Sequence, residues 1–160
     1  MKTVLAVDDR LDDLLLLKHA CRKTPLDFQL HTANDGHKAI EYLKLNEPGF
    51  MLLDLKMPRK SGFEVLSWVR NYSPVQDLKI AIFTSSQNEE DIEHAYGLGA
   101  DWFLVKPVDY NDLVEIVLAV NTYLLRNDSS ALLQSCCYRK PGSSLAFSSA
   151  PKYKRPQACL

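Results

Sequence analysis

Five polar residues in this chain have the types and the spacing that phosphoryl chemistry needs: Asp8, Asp9, Asp54, Thr84 and Lys106. Carboxylates held close together repel one another unless a cation lies among them. Oxygen ligands with room for water suit Mg²⁺, which can bridge a phosphoryl oxygen and neutralise charge in the transition state. The three aspartates therefore indicate a candidate metal site, although Asp8 and Asp9 could also merely cap a helix.

Asp54 is the candidate nucleophile. A carboxylate can attack phosphorus and form an aspartyl phosphate. Asp54 directly follows the apolar run Met51-Leu52-Leu53, which places it where a buried strand would end. The alternative is an aspartate that forms the turn before Met57-Pro58.

Thr84 and Lys106 could contact the same phosphoryl group. A hydroxyl can donate a hydrogen bond to a phosphoryl oxygen, and a lysine supplies a point positive charge. Each has an ordinary alternative, because a strand-terminal threonine can bond its own backbone and a loop lysine can simply be solvated. The joint occurrence of all five residues, in this order, is much harder to attribute to chance.

The elements that must position these residues alternate along the chain as far as residue 126. Short β-like runs predict strands at 3–7, 27–32, 50–53, 80–84 and 102–105. Amphipathic stretches predict helices at 11–23, 36–45, 63–71, 89–98 and 112–125. Five such units in a row predict an α/β fold, with a parallel sheet and helices on both faces. Ligands bind such sheets beyond the carboxyl ends of the strands, where all five polar residues would lie.

Several motifs in this frame resemble the receiver domain of two-component signalling. The resemblance covers residues 1 to about 126. It implies a five-stranded, flavodoxin-like (βα)5 fold with strand order 2-1-3-4-5. The motifs are Val7-Asp8-Asp9, Leu53-Asp54-Leu55-Lys56-Met57-Pro58 with Ser61-Gly62-Phe63-Glu64-Val65-Leu66, Phe83-Thr84-Ser85, Gly99-Ala100-Asp101 and Val105-Lys106-Pro107.

The resemblance also implies the chemistry of the site. Asp54 would accept a phosphoryl group from a histidine kinase or a small phosphodonor, and the domain would catalyse only its own phosphorylation and dephosphorylation. Mg²⁺, or Mn²⁺, would be held by Asp9 and Asp54 directly, by the backbone carbonyl of Lys56, and by Asp8 through water. On this basis we expect a phosphorylation-dependent signalling switch rather than an enzyme with a separate substrate.

Switching would depend on two further matches to the family. Thr84 matches the switch hydroxyl, and Phe103 matches the aromatic switch position three residues before Lys106. Phe103 lacks the hydroxyl of a tyrosine, so it can turn inward but cannot add an outward hydrogen bond. The resemblance also implies a cis Lys106-Pro107 bond, which would aim the lysine into the site.

Two positions bear on how fast the phosphoryl group would be lost. Lys56 lies two residues after Asp54, and Ser86 lies two residues after Thr84. Such positions flank the path of the water that hydrolyses an acyl phosphate. Neither side chain is a carboxylate or amide that would orient that water.

A finer similarity concerns the partners. Asp9 with Asp12-Asp13-Leu14 and Leu15-Leu16-Leu17, together with Lys106-Pro107-Val108-Asp109, is similar to stand-alone receivers that serve phytochrome-type or other sensory histidine kinases. Such receivers often consist of the receiver alone and can dimerise. We expect a sensor histidine kinase as partner, and partner binding or a homodimer through the face formed by residues 89–98, 102–105 and 112–125.

Residues 127–160 differ in character from the predicted receiver domain at 1–126. The domain carries 14 basic and 19 acidic side chains, whereas the tail carries five basic and one acidic. The tail is rich in Ser, Pro, Gly and Lys and has little periodicity, which predicts a disordered basic segment that the chemistry does not need. Its basic cluster, Lys152, Lys154 and Arg155, could touch an acidic partner or nucleic acid, but the tail is too short for a helix-turn-helix.

Composition gives no sign of a membrane protein or a secreted one. The net charge is −1, and no apolar run approaches the roughly 18 residues that a membrane helix needs. The N-terminus does not resemble a signal peptide. The cysteines lack metal-binding spacing, so we expect a reducing, cytoplasmic location. They are Cys21, Cys136, Cys137 and Cys159.

Three other function classes stay open at this point. A haloacid-dehalogenase-like phosphatase also uses an aspartate nucleophile, but its second aspartate would fall at Lys56. A pseudo-receiver scaffold would not need the complete set of five polar residues. A DNA-binding regulator is disfavoured because the tail matches no output domain.

Overall fold

The computed structural model describes residues 1–135, which form five strands that alternate with five helices, followed by a sixth helix. The strands are β1 Lys2–Val7, β2 Phe28–Ala33, β3 Phe50–Leu53, β4 Ile80–Thr84 and β5 Trp102–Val105. The helices are α1 Leu11–Lys23, α2 Gly36–Leu45, α3 Gly62–Asn71, α4 Glu89–Gly97, α5 Tyr110–Arg126 and α6 Ser130–Ser135. A short 3-10 helix, Ser73–Val75, precedes β4.

All five strands pair in parallel, in the order β2-β1-β3-β4-β5, which confirms the predicted fold class. The strands β3, β4 and β5 are buried along their whole length, as their continuous apolar sequences require. β2 is an edge strand, and its central residues are only partly buried. The order reverses between β1 and β3, so the carboxyl ends of these two strands border the cleft where this fold binds ligands.

Two apolar clusters hold the helices against the two faces of the sheet. Residues of α2, α3 and α4 pack on one face, around the fully buried Phe103 and Leu66. Residues of α1 and α5 pack on the other face, around Leu104 and Val120. Phe103 and Leu104 are consecutive in β5 and point to opposite faces, because side chains alternate along a strand.

Polar caps set where several helices begin. Ser61 and Glu64 form a reciprocal capping box at the start of α3, since the Ser61 Oγ accepts from the Glu64 N–H and the Glu64 carboxylate accepts from the Ser61 N–H. Asp35 caps α2 and Asp109 caps α5 through their side-chain oxygens. The Asp109 cap explains why α5 begins at Tyr110, two residues before the predicted start.

The first residues after Arg126 are ordered, whereas the sequence predicted a disordered tail from residue 127 onward. Asn127 ends α5 in the left-handed region with φ 53°, and α6 follows at Ser130–Ser135. Leu132 of α6 is fully buried in the cluster on the α1 and α5 face. The apolar triplet Ala131-Leu132-Leu133 supplies the burial that orders this segment. The rest of the tail, including Lys152, Lys154 and Arg155, lies outside the described residues, so its dispensability stays a prediction.

Within residues 1–135, none of the helices combines the length and the apolar composition needed to cross a bilayer.

Candidate functional site

Backbone pairing between neighbouring strands places the predicted site residues side by side. The strand ladder continues just past the strand ends: Asp8 N donates to Ala33 O at 3.1 Å, and Asp54 N donates to Val7 O at 3.0 Å. Lys106 N donates in the same way to Thr84 O at 2.8 Å. The carboxyl edge of the sheet therefore brings the aspartates, the threonine and the lysine to one cleft, as the sequence predicts.

The three aspartates among the four predicted metal ligands form one group of carboxylates. Oxygens of Asp8, Asp9 and Asp54 all lie within 4.8 Å of one another. Asp8 and Asp54 are buried, whereas Asp9 is partly exposed. An oxygen-only set of this size, open to water on one side, fits a hard divalent cation such as Mg²⁺.

Backbone N–H groups orient two of these carboxylates. The Asp54 Oδ1 accepts from the Leu55 N–H at 2.8 Å. The Asp8 Oδ1 accepts from the Arg10 N–H at 2.9 Å. In both residues it is the other oxygen, Oδ2, that lies nearest the Lys106 ammonium.

Lys106 supplies positive charge to the carboxylate group. Its Nζ lies 2.5 Å from Asp8 Oδ2, 2.8 Å from Asp13 Oδ2 and 3.5 Å from Asp54 Oδ2. Only 11% of the lysine side chain is exposed. A buried ammonium this close to several carboxylates offsets charge that would otherwise oppose folding.

The ionisation of Asp8 and Lys106 reflects this burial. Burial raises the pKa of Asp8, and hydrogen bonds from Lys106 and the Arg10 N–H only partly counter it. Burial alone would lower the pKa of Lys106, but its hydrogen bonds to Asp13 and Asp8 outweigh that effect and the pKa is raised. The lysine therefore stays an ammonium at neutral pH, and a cation at the carboxylates would favour the ionised form of Asp8.

Thr84 and Phe103, the predicted switch pair, are both buried. Thr84 is 1% exposed, and its Oγ1 accepts a long hydrogen bond from the Ser86 N–H at 3.4 Å. Phe103 is fully buried in the cluster to which α4 contributes Ile92 and Tyr96. Phe103 and α4 therefore share one buried cluster.

The loop after β3 is folded tightly back on itself. Gly62 N donates to Leu55 O at 2.9 Å, and a Cβ at Gly62 would lie 2.1 Å from the Asp54 carbonyl oxygen. Only glycine fits this close approach of α3 to the backbone of Asp54. The fold-back fixes the course of the segment that contains Lys56, whose role as a backbone carbonyl ligand stays a prediction.

The predicted cis bond between Lys106 and Pro107 is wrong, because that bond is trans. The family resemblance implies the cis form, which would aim the lysine into the site. The hydrogen bond from Lys106 N to Thr84 O already extends the β5 register by one residue. From there the long lysine side chain reaches Asp8 and Asp54 with a trans bond.

Sequence reasoning gave no role at the site to Asp13 or to Asp91. Asp13 lies in the first turn of α1 and contacts Lys106. Asp91 lies in the first turn of α4 and contacts Lys56 and Ser86. An acidic residue in the first turn of a helix is common for electrostatic reasons alone, so neither position carried a distinctive signal.

A parallel 2-1-3-4-5 sheet with a strand-end aspartate, a hydroxyl and a lysine around one cleft defines a phosphoacceptor switch. The family model of the response regulator receiver domain matches residues 4–118, and the chain belongs to that family. Receiver domains are phosphoacceptors with autophosphatase activity, and they partner with sensor histidine kinases. The general function of this chain is therefore phosphorylation-dependent switching.

Relatives agree with the finer similarity seen in the sequence. The chain is 28% identical over 131 residues to response regulator Rcp1 of Synechocystis sp., covering 78% of this chain and 89% of that protein. The phosphorylated cyanobacterial phytochrome response regulator RcpA superposes with a TM-score of 0.72 at 27% identity, covering 79% of this chain and 96% of that chain. The Mn²⁺-bound form of Rcp1 superposes with a TM-score of 0.70 at 27% identity, covering 80% and 97%. The expected similarity to phytochrome-associated response regulators is thereby confirmed.

Proposed function

We propose that Asp54 accepts a phosphoryl group from a sensor histidine kinase, or from a small phosphodonor, in a Mg²⁺-dependent reaction. The observation that carries this proposal is the set of carboxylate oxygens within 4.8 Å of one another beside the buried Lys106 ammonium. A nucleophilic carboxylate, a cation site and a fixed positive charge are the parts that phosphoryl transfer needs. We further propose that the reaction takes place in the cytoplasm.

Asp54 attacks through a carboxylate oxygen. The new O–P bond forms as the bond from phosphorus to the histidine nitrogen, or to the donor oxygen, breaks. The Leu55 N–H holds Asp54 Oδ1, which restrains the carboxylate and leaves Oδ2 on the side of Lys106. The Lys106 ammonium can then contact a phosphoryl oxygen without a large movement. The Thr84 hydroxyl can donate a hydrogen bond to another phosphoryl oxygen.

The cation would be held by Asp9 and Asp54 directly, by the backbone carbonyl of Lys56, and by Asp8 through water. When bound, it would neutralise charge on the phosphoryl oxygens during transfer. The existence of a Mn²⁺-bound form of the similar regulator Rcp1 supports binding of a divalent cation by this chain. Mn²⁺ could replace Mg²⁺, since both accept oxygen ligands in octahedral geometry.

The signal would leave through the face formed by α4, β5 and α5. Phosphorylation draws Thr84 inward, and Phe103 adjusts to the space that it leaves. Phe103 shares a buried cluster with α4, which supports transmission in this direction. We expect a downstream partner or a second copy of this chain to bind the face. We do not expect this chain to bind DNA directly.

Two exposed leucines of α5 support the homodimer alternative. Leu118 and Leu125 are exposed by 41% and 56%, and they lie seven residues apart on one side of the helix. Exposed leucines at this spacing are suited to packing against another helix. Sedimentation analysis with and without phosphorylation would measure whether this face forms a homodimer.

The phosphoacceptor assignment is tested by mass spectrometry. The full chain is incubated with acetyl phosphate and Mg²⁺, and the mass of one added phosphoryl group is expected. The control is Asp54→Asn, which keeps the size of the side chain but removes the nucleophile. An undiminished adduct in this variant, or an unchanged rate with EDTA in place of Mg²⁺, would contradict the proposal.

A further inference from the structure

A single carboxylate oxygen joins three parts of the chain near the phosphoacceptor. The Asp91 Oδ2 accepts a hydrogen bond from Ser86 Oγ at 2.5 Å and lies 3.5 Å from Lys56 Nζ. Asp91 belongs to the first turn of α4, Ser86 to the segment between β4 and α4, and Lys56 to the segment after β3. We call this arrangement the Asp91 tether.

The two contacts of the tether differ in strength. The short hydrogen bond from Ser86 goes to a charged acceptor, a type that is stronger than a neutral one. The contact with Lys56 is an ion pair with a lysine side chain that is 68% exposed, so solvent screens it and it contributes little to stability. The Lys56 ammonium can therefore readily exchange Asp91 for another anion nearby.

The tether continues toward the proposed switch. The Ser86 N–H donates to Thr84 Oγ1 at 3.4 Å, and the Ser86 Oγ also accepts from the Asn88 N–H at 3.3 Å. Asn88 is the N-cap of α4, with its Oδ1 accepting from the Glu90 N–H at 3.0 Å. Consecutive contacts therefore run from the Thr84 hydroxyl to the start of α4.

We propose that the Asp91 tether holds the first turn of α4 to the site, and that phosphorylation of Asp54 releases it. This inference rests on the proposed function of Asp54. The phosphoryl group places new negative charge two residues from Lys56, so the ammonium is drawn away from Asp91 toward the phosphoryl oxygens. Movement of Thr84 toward the same group withdraws the acceptor of the Ser86 N–H. Both ends of the tether loosen together.

Asp91 is therefore a positioning residue that couples the site to the output face. Release affects a helix whose residues Ile92 and Tyr96 share a buried cluster with Phe103. The tether thus offers a polar route from the phosphoryl group to α4, beside the apolar route through Phe103. A ligand shifts an equilibrium between two states only if it interacts differently with them. Here the difference is the partner of Lys56, which is Asp91 before phosphorylation and the phosphoryl group afterwards.

The test uses Asp91→Asn in the full chain. Asparagine keeps the shape and an acceptor oxygen for Ser86 but removes the charge that holds Lys56. Glu93→Gln is the matched control, because it removes a carboxylate from an exposed position on the same helix. Amide hydrogen exchange by NMR reports on the first turn of α4 before and after phosphorylation with acetyl phosphate and Mg²⁺.

In the unphosphorylated state, we expect exchange in the first turn of α4 to be about threefold to tenfold faster in Asp91→Asn than in the wild type. Phosphorylation should speed these amides in the wild type and in Glu93→Gln, but add little in Asp91→Asn. Equal exchange in all three unphosphorylated proteins would overturn the proposal. So would a full phosphorylation response of α4 in Asp91→Asn.

The mass of the adduct separates this inference from the proposed function. If Asp54 is phosphorylated but α4 behaves alike in all proteins, the tether is refuted and the phosphoacceptor assignment stands. If no adduct forms in the wild type, both fail. Lys56→Gln adds a second variant, since it removes only the weak ion pair and leaves the Ser86 bond to Asp91 in place. Without phosphorylation it should loosen α4 less than Asp91→Asn does.

Discussion

The Lys106 ammonium and the Asp8 carboxylate form the shortest ion pair of the site, with 2.5 Å between Nζ and Oδ2. The lysine follows β5 and the aspartate follows β1, so the contact spans the carboxyl edge of the sheet. Asp13 of α1 and Asp54 contact the same ammonium from two further directions. One lysine thus partly neutralises several carboxylates, and a bound divalent cation would complete that neutralisation.

Mg²⁺ should stabilise the folded protein. A ligand that binds only the folded state adds about 2.7 kcal/mol to the free energy of unfolding at a concentration 100 times its Kd. Urea denaturation with and without Mg²⁺ measures this difference. It should be greatly reduced in Asp9→Asn but unchanged in Glu47→Gln, an exposed acidic residue just before β3. Equal stabilisation of Asp9→Asn and the wild type would contradict the assigned ligand.

The pH dependence of stability should report on Asp8 when no divalent cation is bound. Burial raises the pKa of Asp8 in the folded protein above its ordinary 3.8, so the folded state binds this proton more tightly than the unfolded state. The contribution of Asp8 to stability therefore falls as the pH rises from 3.8 through the folded pKa, and it is least favourable above that value.

Denaturation across this pH range, in EDTA, compares the wild type with Asp8→Asn. Asparagine cannot titrate, so the variant should lack the decrease in stability with rising pH that ionisation of Asp8 causes. Addition of Mg²⁺ to the wild type should also reduce it, because a cation favours the ionised carboxylate. Identical pH profiles for the two proteins in EDTA would refute the assignment.

Leu132 should contribute to the stability of the domain but not to its chemistry. Its side chain is fully buried. Replacement of a buried leucine by alanine costs about 2–5 kcal/mol, and we expect the lower end because a helix as short as α6 can relax. Leu45→Ala removes an exposed leucine of α2, outside the proposed dimer face, and is the control. Urea denaturation measures the difference between the two variants.

Phosphorylation should survive the loss of α6, because α6 follows the end of α5 that is remote from the site. Lys2, at the start of β1, donates a hydrogen bond to the Leu124 carbonyl, so α5 ends at the amino edge of the sheet. A chain that ends at Arg126 should therefore be less stable yet accept the phosphoryl group at a similar rate. Loss of phosphorylation by the folded, shortened chain would show that α6 supports the site.

The sequence predicted the strand ends well because the local signal there is strong. Continuous apolar runs identify buried parallel strands, and a polar residue after such a run must lie at the edge of the sheet. Asp54 after β3 and Thr84 at the end of β4 were found in this way. The sheet order followed from the family resemblance rather than from the pattern itself.

The contacts that the sequence did not predict depend on tertiary packing. Asp13 and Lys106 are in contact although they lie 93 positions apart in the sequence. Asp91 in α4 contacts Lys56 in the segment after β3. No local periodicity encodes such pairs. The helix α6 was missed for a different reason: its single apolar triplet is too short to show periodicity, and its order comes from the cluster on which Leu132 packs.

Thr84→Ala should separate phosphorylation from switching. Asp54 keeps its nucleophilic oxygens, its hydrogen bond from the Leu55 N–H and its lysine, so the adduct should still form with acetyl phosphate and Mg²⁺. Alanine has no hydroxyl to donate to the phosphoryl group, so the phosphorylated state loses one contact that distinguishes it from the unphosphorylated state. The coupling between Asp54 and the face of α4, β5 and α5 should weaken.

Amide NMR of wild type and Thr84→Ala, each with and without acetyl phosphate, measures this coupling. The phosphorylation-dependent shifts across α4, β5 and α5 should be smaller in Thr84→Ala, while shifts beside Asp54 persist. Thr84→Ser is the matched control, because it keeps the hydroxyl and should keep most of the response. Wild-type shifts across the face in Thr84→Ala would refute the role of the hydroxyl but leave Asp54 as the phosphoacceptor.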